Sequence, residues 1–339
     1  MNNMNITELL ERIQFTKKED VKLYFVTRAV KSGISKRTPV KDKYLFNVFQ
    51  MDCDDEVRSY LYDASVRQLE KIIHKNYEMM DYDILTDETE HLFTYNIQNK
   101  VFSFNDVVTN QLLKTAPKVT SIANITETEE MWAYCVEFFN NETEERIFTF
   151  RKILPSKVGV DENAKGWFRA KFSLQSQQLS LLKEETVNLD EQIDCIYHQE
   201  TFYVIKKANF EQIVGLQEEY KVKALEVADS MINSGNFIGG DKLKELIEKK
   251  PSIHKKLLKV EKIGGYKNLT PKKLNLMKKV LKKYGETLPI VNDKLSTESE
   301  ENIDAILKAF GDYFKKGEIS GKPYGTFAGK ELQPTDYPL

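Results

Sequence analysis

At 339 residues, with 41% apolar and 11% aromatic content, the chain has room for two domains and is too hydrophobic to be globally disordered. No run approaches the about 18 apolar residues of a membrane span, and the N-terminus lacks the basic and apolar regions of a secretory signal. Cys53, Cys135 and Cys195 form no CxxC pair, so the expectation is a cytoplasmic protein with reduced thiols.

Aromatic and β-branched runs at 22–28 (KLYFVTR) and 44–51 (YLFNVFQM) predict two strands, joined by the polar KSGISKRTPVKDK as a long hairpin loop. Helical spacing through Val57, Leu61, Ala64, Leu69, Ile72 and Ile73 predicts a helix over 56–75, and 93–97 and 101–104 predict short strands about an Asn-rich turn. From residue 131 the pattern is β. Segments 131–139 and 146–151 flank NNETEE as a hairpin, and 167–173, 178–182, 193–198 and 202–206 follow closely enough to predict antiparallel pairing. Turn residues collect near Pro117 and again over 155–166, giving two candidate boundaries. Division at the first yields an N-terminal α/β domain, 1–117, and a second domain, 118–339, strand-rich over 118–208 and helical and lysine-rich over 209–339.

From Asn209 the period becomes helical. Asn209 with Gln212 resembles a capping box, and Phe210, Ile213, Val214, Tyr220, Val227, Met231 and Ile232 form one apolar stripe that stops before Gly235. Thr270-Pro271 predicts a helix start, with Leu274, Met277, Leu281 and Tyr284 as its stripe and Gly285 as its stop. A last helix is predicted over 299–316, ended by Gly317. The fold class is therefore α+β, a β-rich mixed N-terminal and central part followed by a helical C-terminal part.

Charge is the most uneven property of the chain. The net value is −2, yet between residues 251 and 290 eleven lysines meet two acids, Glu261 and Glu286, for about +9, which leaves about −11 for the remainder. The lysines are Lys255, Lys256, Lys259, Lys262, Lys267, Lys272, Lys273, Lys278, Lys279, Lys282 and Lys283. Lysine is a flexible point charge that suits phosphates better than base edges, so this segment predicts duplex binding without sequence preference. Engaging about six phosphates would give a log–log salt slope of roughly −5. On the helix starting at Thr270, Lys272, Lys279 and Lys283 lie opposite the apolar stripe, while Lys273, Lys278 and Lys282 flank it. Two other readings stand beside this one. The face could be plain solvated surface, although i+4 acids are nearly absent, or it could meet an acidic protein partner. For the latter, Glu127, Glu129, Glu130, Glu137, Glu142, Glu144 and Glu145 offer complementary charge.

Ile238-Gly239-Gly240-x-Lys242 recurs as Ile263-Gly264-Gly265-x-Lys267, and the second copy resembles the hairpin of a helix-hairpin-helix module. Its glycines are adjacent rather than Gly-x-Gly, and a pair of ordinary turns is the plainer reading. His74, His91, His198 and His254 stand alone, and neither a phosphate-binding glycine loop nor GxSxG is present. Asp190, Glu191, Asp194, Glu200 and Lys206 suggest a metal-dependent nuclease, but the Glu-x-Lys spacing is missing. No cofactor is expected.

The stretch LDEQIDCIYHQETFYVIKKANFEQIVGLQEEY, the basic HKKLLKV and the closing DAILKAFGDYFKKGEISGKPYGTFAGKEL resemble a bacterial domain family that includes KwaB, the B subunit of the Kiwa anti-phage defence system, over roughly residues 165–332. The resemblance implies a cytoplasmic effector that binds DNA, forms a homo-oligomer and works with a small membrane subunit, KwaA, to arrest phage DNA replication and late expression. Such a protein would reach the inner face of the membrane through its partner and not by insertion. The resemblance transfers DNA contact to Lys255, Lys256 and Lys259, extends to the lysines from Lys272 to Lys283, and matches Lys330 to a recurring lysine of the tail. A nuclease effector and a protein-binding assembly subunit remain the alternatives.

Overall fold

The computed structural model of the chain describes residues 4–33, 43–84, 91–98, 104–114, 116, 118–119, 130–153, 172–175, 178–181, 189–317 and 321–327. The hairpin linker over 34–42, the predicted strand residues 101–103 and 167–171, Glu127, Glu129 and Lys330 lie outside them. The fold is α+β, in two compact units: Met1–Asp81 with Glu90–Gly215, and Tyr82–Thr89 with Leu216–Leu339.

Unit 1 is built on a sheet with nine strands among the described residues. They are β1 (Lys22–Val30), β2 (Tyr44–Met51), β3 (Glu78–Asp81), β4 (His91–Asn96), β5 (Lys118–Val119), β6 (Glu130–Asn140), β7 (Glu145–Lys152), β10 (Cys195–His198) and β11 (Thr201–Val204), with β8 (Phe172–Gln175) and β9 (Gln178–Leu181) paired as a separate ribbon. The order is β3-β4-β11-β10-β7-β6-β1-β2-β5, antiparallel throughout except for β3–β4 and β2–β5. Strands from both sides of Pro117 thus share one layer.

Alternation along the strands divides the core between two faces. Helices α1 (Ile6–Gln14) and α2 (Asp55–His74) cover one, where Leu9, Ile13 and Leu69 pack with Phe25, Phe138 and Ile196. On the other, Phe46, Phe104, Phe150, Phe202 and Phe210 form a chain of rings with successive centroids 5.3, 5.7, 6.1 and 5.3 Å apart. Phe210 belongs to α3 (Lys207–Ile213).

The single long helix expected from Asn209 is two helices. Gly215, at φ +80°, ends α3, and α4 (Leu216–Asn233) follows. Because α3 begins at Lys207, Asn209 lies inside it and does not cap; its side-chain amide donates to Asp194 at 2.8 Å.

Unit 2 packs α4, α5 (Gly240–Lys249), α6 (Pro251–Ile263), α7 (Pro271–Lys283) and α8 (Glu300–Phe310) around Leu246, Leu257, Val260, Leu281, Leu295 and Ile306. A small sheet of β12 (Phe237–Ile238), β14 (Lys294–Ser296) and β13 (Ile290–Val291) joins them. The last helix stops at Phe310, not at residue 316. Gly311 and the left-handed Asp312, φ +48°, turn the chain, and β15 (Phe314–Lys316) pairs with β16 (Pro323–Gly325).

Candidate nucleic-acid interface

Helix α7 forms where the sequence places it. The Thr270 hydroxyl accepts the Lys273 N–H at 3.3 Å, Pro271 supplies the first helical residue, and Met277 and Leu281 are buried with Leu274 packed beside them. Thirteen residues carry six lysines and no acid. Lys272, Lys278, Lys279, Lys282 and Lys283 are exposed, and at about 100° per residue they occupy an arc of roughly 140° turned away from the buried stripe. Among the described residues none of these five pairs with a carboxylate; the Lys283 ammonium lies 5.6 Å from the Tyr284 ring centroid. Lys273 falls on the other side, where its Nζ donates to the Gly265 carbonyl at 2.8 Å.

The turn before α7 is fixed at several points. Gly264, φ +67°, ends α6 in the left-handed conformation, and the nearly fully buried Tyr266 donates its hydroxyl to Glu261, with Ser230 Oγ 3.2 Å from the same phenolic oxygen. Lys267 also pairs with Glu261; the hydrogen bond raises the lysine pKa and lowers that of the carboxylate. The two Gly-Gly copies therefore do opposite work. Gly264 closes a helix, whereas Gly239 precedes α5 at φ +77°, where a Cβ would lie 2.4 Å from Glu298 Cγ.

On α6 two of the predicted lysines, Lys256 and Lys259, are held internally. Lys256 pairs with Asp304 at 2.9 Å and stands 4.6 Å from the Phe327 ring centroid, and Lys259 donates to the Phe327 carbonyl. Burial lowers the Lys259 pKa, and Lys315 adds to the effect. Lys262 lies 3.4 Å from Asp83 and remains exposed, while Lys255 is half-buried. Of the eleven lysines, five on α7 thus have no carboxylate partner among the described residues. Five others (Lys256, Lys259, Lys262, Lys267 and Lys273) are engaged by Asp304, Phe327, Asp83, Glu261 and Gly265, and Lys255 is half-buried on α6. The tail contact through Phe327 carries no sequence signal near the lysines and could not be read from their spacing.

The acidic hairpin of unit 1 is structural in its bonding. Asp194 is fully buried and accepts from Arg151 Nη1 at 2.7 Å, the Lys152 N–H at 2.7 Å and Asn209. Burial raises its pKa, against the lowering effect of those bonds. Asp190 takes the same guanidinium at 2.6 Å, Glu191 pairs with Arg67 at 2.8 Å, and Glu200 accepts from Gln98 at 2.6 Å. Among the described residues no group of three or more His, Cys, Asp or Glu side chains could hold a metal.

A cleft of about 580 Å³ opens beside Arg12, Glu145, Arg146 and His198. His198 turns its ring inward, 1% exposed, with Nε2 2.7 Å from Glu145, and burial lowers its pKa despite that carboxylate. Glu145 also pairs with Arg12, and the buried Glu137 accepts from Tyr24 at 2.6 Å, so two of the acids offered as a counter-charge to the lysines are engaged within unit 1.

A family model described as Kiwa protein KwaB-like matches residues 128–320, more than half of the chain. No curated protein and no solved structure matches it. Among the described residues no helix is long and apolar enough to cross a membrane.

Proposed function

We propose that this chain, which belongs to the KwaB-like family and so to the multi-subunit Kiwa anti-phage defence, binds duplex DNA through the exposed face of α7 and blocks phage replication or transcription by occupying the DNA. One observation carries the reading: five exposed lysines, without acidic partners among the described residues, stand on one side of a helix whose other side is anchored in a core. Such a face releases counterions from a phosphate backbone, and the lysines themselves read no sequence. Family membership supports a small KwaA-like membrane subunit and further copies of the chain as partners, with the inner face of the membrane reached through that subunit.

Fluorescence anisotropy with duplex DNA across a salt series tests this, with the variant Lys272→Glu, Lys278→Glu, Lys279→Glu and Lys282→Glu alongside. Up to five phosphate contacts give a log–log slope near −4.5, and the variant should lose binding at every salt concentration. Equal binding by the variant, or none by the wild type at low salt, overturns the proposal and directs the search to an acidic protein partner.

A further inference from the structure

The exposed face of α7 holds one side chain that is neither lysine nor apolar, Asn275. At about 100° per residue it stands near the middle of the lysine arc. Lys282 and Lys278 lie about 20° and 60° to one side of it, and Lys279, Lys272 and Lys283 about 40°, 60° and 80° to the other. The nearest of these exposed lysines along the axis, Lys272 and Lys278, are each about 4.5 Å of rise away, and the whole helix is about 20 Å long. No hydrogen bond occupies the Asn275 amide among the described residues. Asparagine is also a weaker helix former than the lysines and leucines around it, so helix stability does not account for it here.

A helix of about 10–12 Å diameter fits a major groove about 12 Å wide. In that position the flanks of the helix meet the two phosphate walls and its central ridge meets base edges. We infer that α7 enters the major groove of duplex DNA with its two lysine rows on the opposite phosphate walls and Asn275 directed at base edges, where its amide bonds bidentately to adenine N6 and N7. The inference rests on duplex binding by the α7 lysines and adds to it a specificity-determining residue. Tyr266, Lys267 and Lys273 fix the turn that presents the helix, which is what a base contact of defined geometry requires.

The experiment compares three duplexes of equal length at fixed salt, by anisotropy: one adenine-rich, one of G·C pairs only, and the adenine-rich duplex with every adenine replaced by 7-deazaadenine, which lacks the major-groove N7. The wild type should favour the adenine-rich duplex over the G·C duplex by about fivefold or more, and the deaza substitution should remove most of that preference. Asn275→Ala, an exposed helix substitution that leaves the core untouched, should bind all three alike with an unchanged salt slope. Equal wild-type affinity for the adenine-rich and G·C duplexes overturns the assignment, as does a preference that survives Asn275→Ala or the deaza substitution. If binding still requires the α7 lysines in those cases, the DNA-binding reading stands and only the role of Asn275 fails. If the wild type binds no duplex, both fail.

Discussion

Asp194→Ala tests whether the acidic hairpin of unit 1 holds the fold or performs chemistry. The lost carboxylate accepts three hydrogen bonds of 2.7–2.8 Å, and its removal leaves the Lys152 N–H and the Asn209 amide without that acceptor. It also takes one of two carboxylates from Arg151, whose side chain is 9% exposed. Breaking a buried pair by deleting one partner costs about 3–5 kcal/mol. Arg151 keeps Asp190, at 2.6 Å, so the lower end of that range, about 3 kcal/mol, is expected here. With a urea dependence of about 2 kcal/mol per molar, the unfolding midpoint should drop by about 1.5 M. Equilibrium urea unfolding followed by the fluorescence of Trp132, on β6 of the same unit, measures the shift. A variant that keeps the wild-type midpoint but loses a Mg²⁺-dependent DNA cleavage would refute the structural assignment and restore the nuclease alternative.

Two further outcomes follow from buried polar groups. Burial holds the pKa values of His198 and His254 below the ordinary 6.5, so the unfolded chain binds more protons than the folded one between the lowered values and 6.5. Stability should therefore fall as pH drops through that window, seen as a declining Tm between pH 7.5 and 5, with His254→Gln flattening the profile of unit 2. Tyr266→Phe removes the hydroxyl that bonds Ser230 and Glu261 and should cost unit 2 about 1–2 kcal/mol in urea unfolding. The slope of DNA affinity against salt should not change in that variant, since Tyr266 is buried and carries none of the proposed contacts.

The sequence is most legible where period and caps agree. YLFNVFQM is β2 from end to end, the stripe from Val57 to Ile73 is α2, and Thr270-Pro271 opens α7. Helix α1 is absent from the sequence-based expectation although Asn5 and Glu8 form a capping box at its start, because nine residues give too few turns for periodicity to stand out. The break at Gly215 lies within one unbroken apolar stripe, so only the backbone conformation reveals it. Sheet order is further from reach. The β10–β11 hairpin enters between β4 and β7, and that pairing with residues 91–96 is set by long-range packing of both sheet faces.

The lysines show the same limit more sharply, since eleven identical side chains acquire different roles from partners far along the chain. On α7, Lys278 with Lys282 and Lys279 with Lys283 are like-charged i,i+4 pairs, each costing about 0.2–0.5 kcal/mol. Burial of Met277 and Leu281, at about 1.5–3 kcal/mol each, and the Thr270 cap, at about 1 kcal/mol, outweigh that repulsion. Acids among the lysines would add to that balance, so the lysine charge, without carboxylate partners among the described residues, works against the helix. A polyanion on this face reverses the balance, because each phosphate contact removes repulsion that the free helix sustains. Salt then acts on the two states in opposite directions, screening the repulsion in the free protein while weakening the complex. Duplex binding through this face therefore predicts a Tm of unit 2 that rises with salt while DNA affinity falls, and an affinity insensitive to salt would refute it.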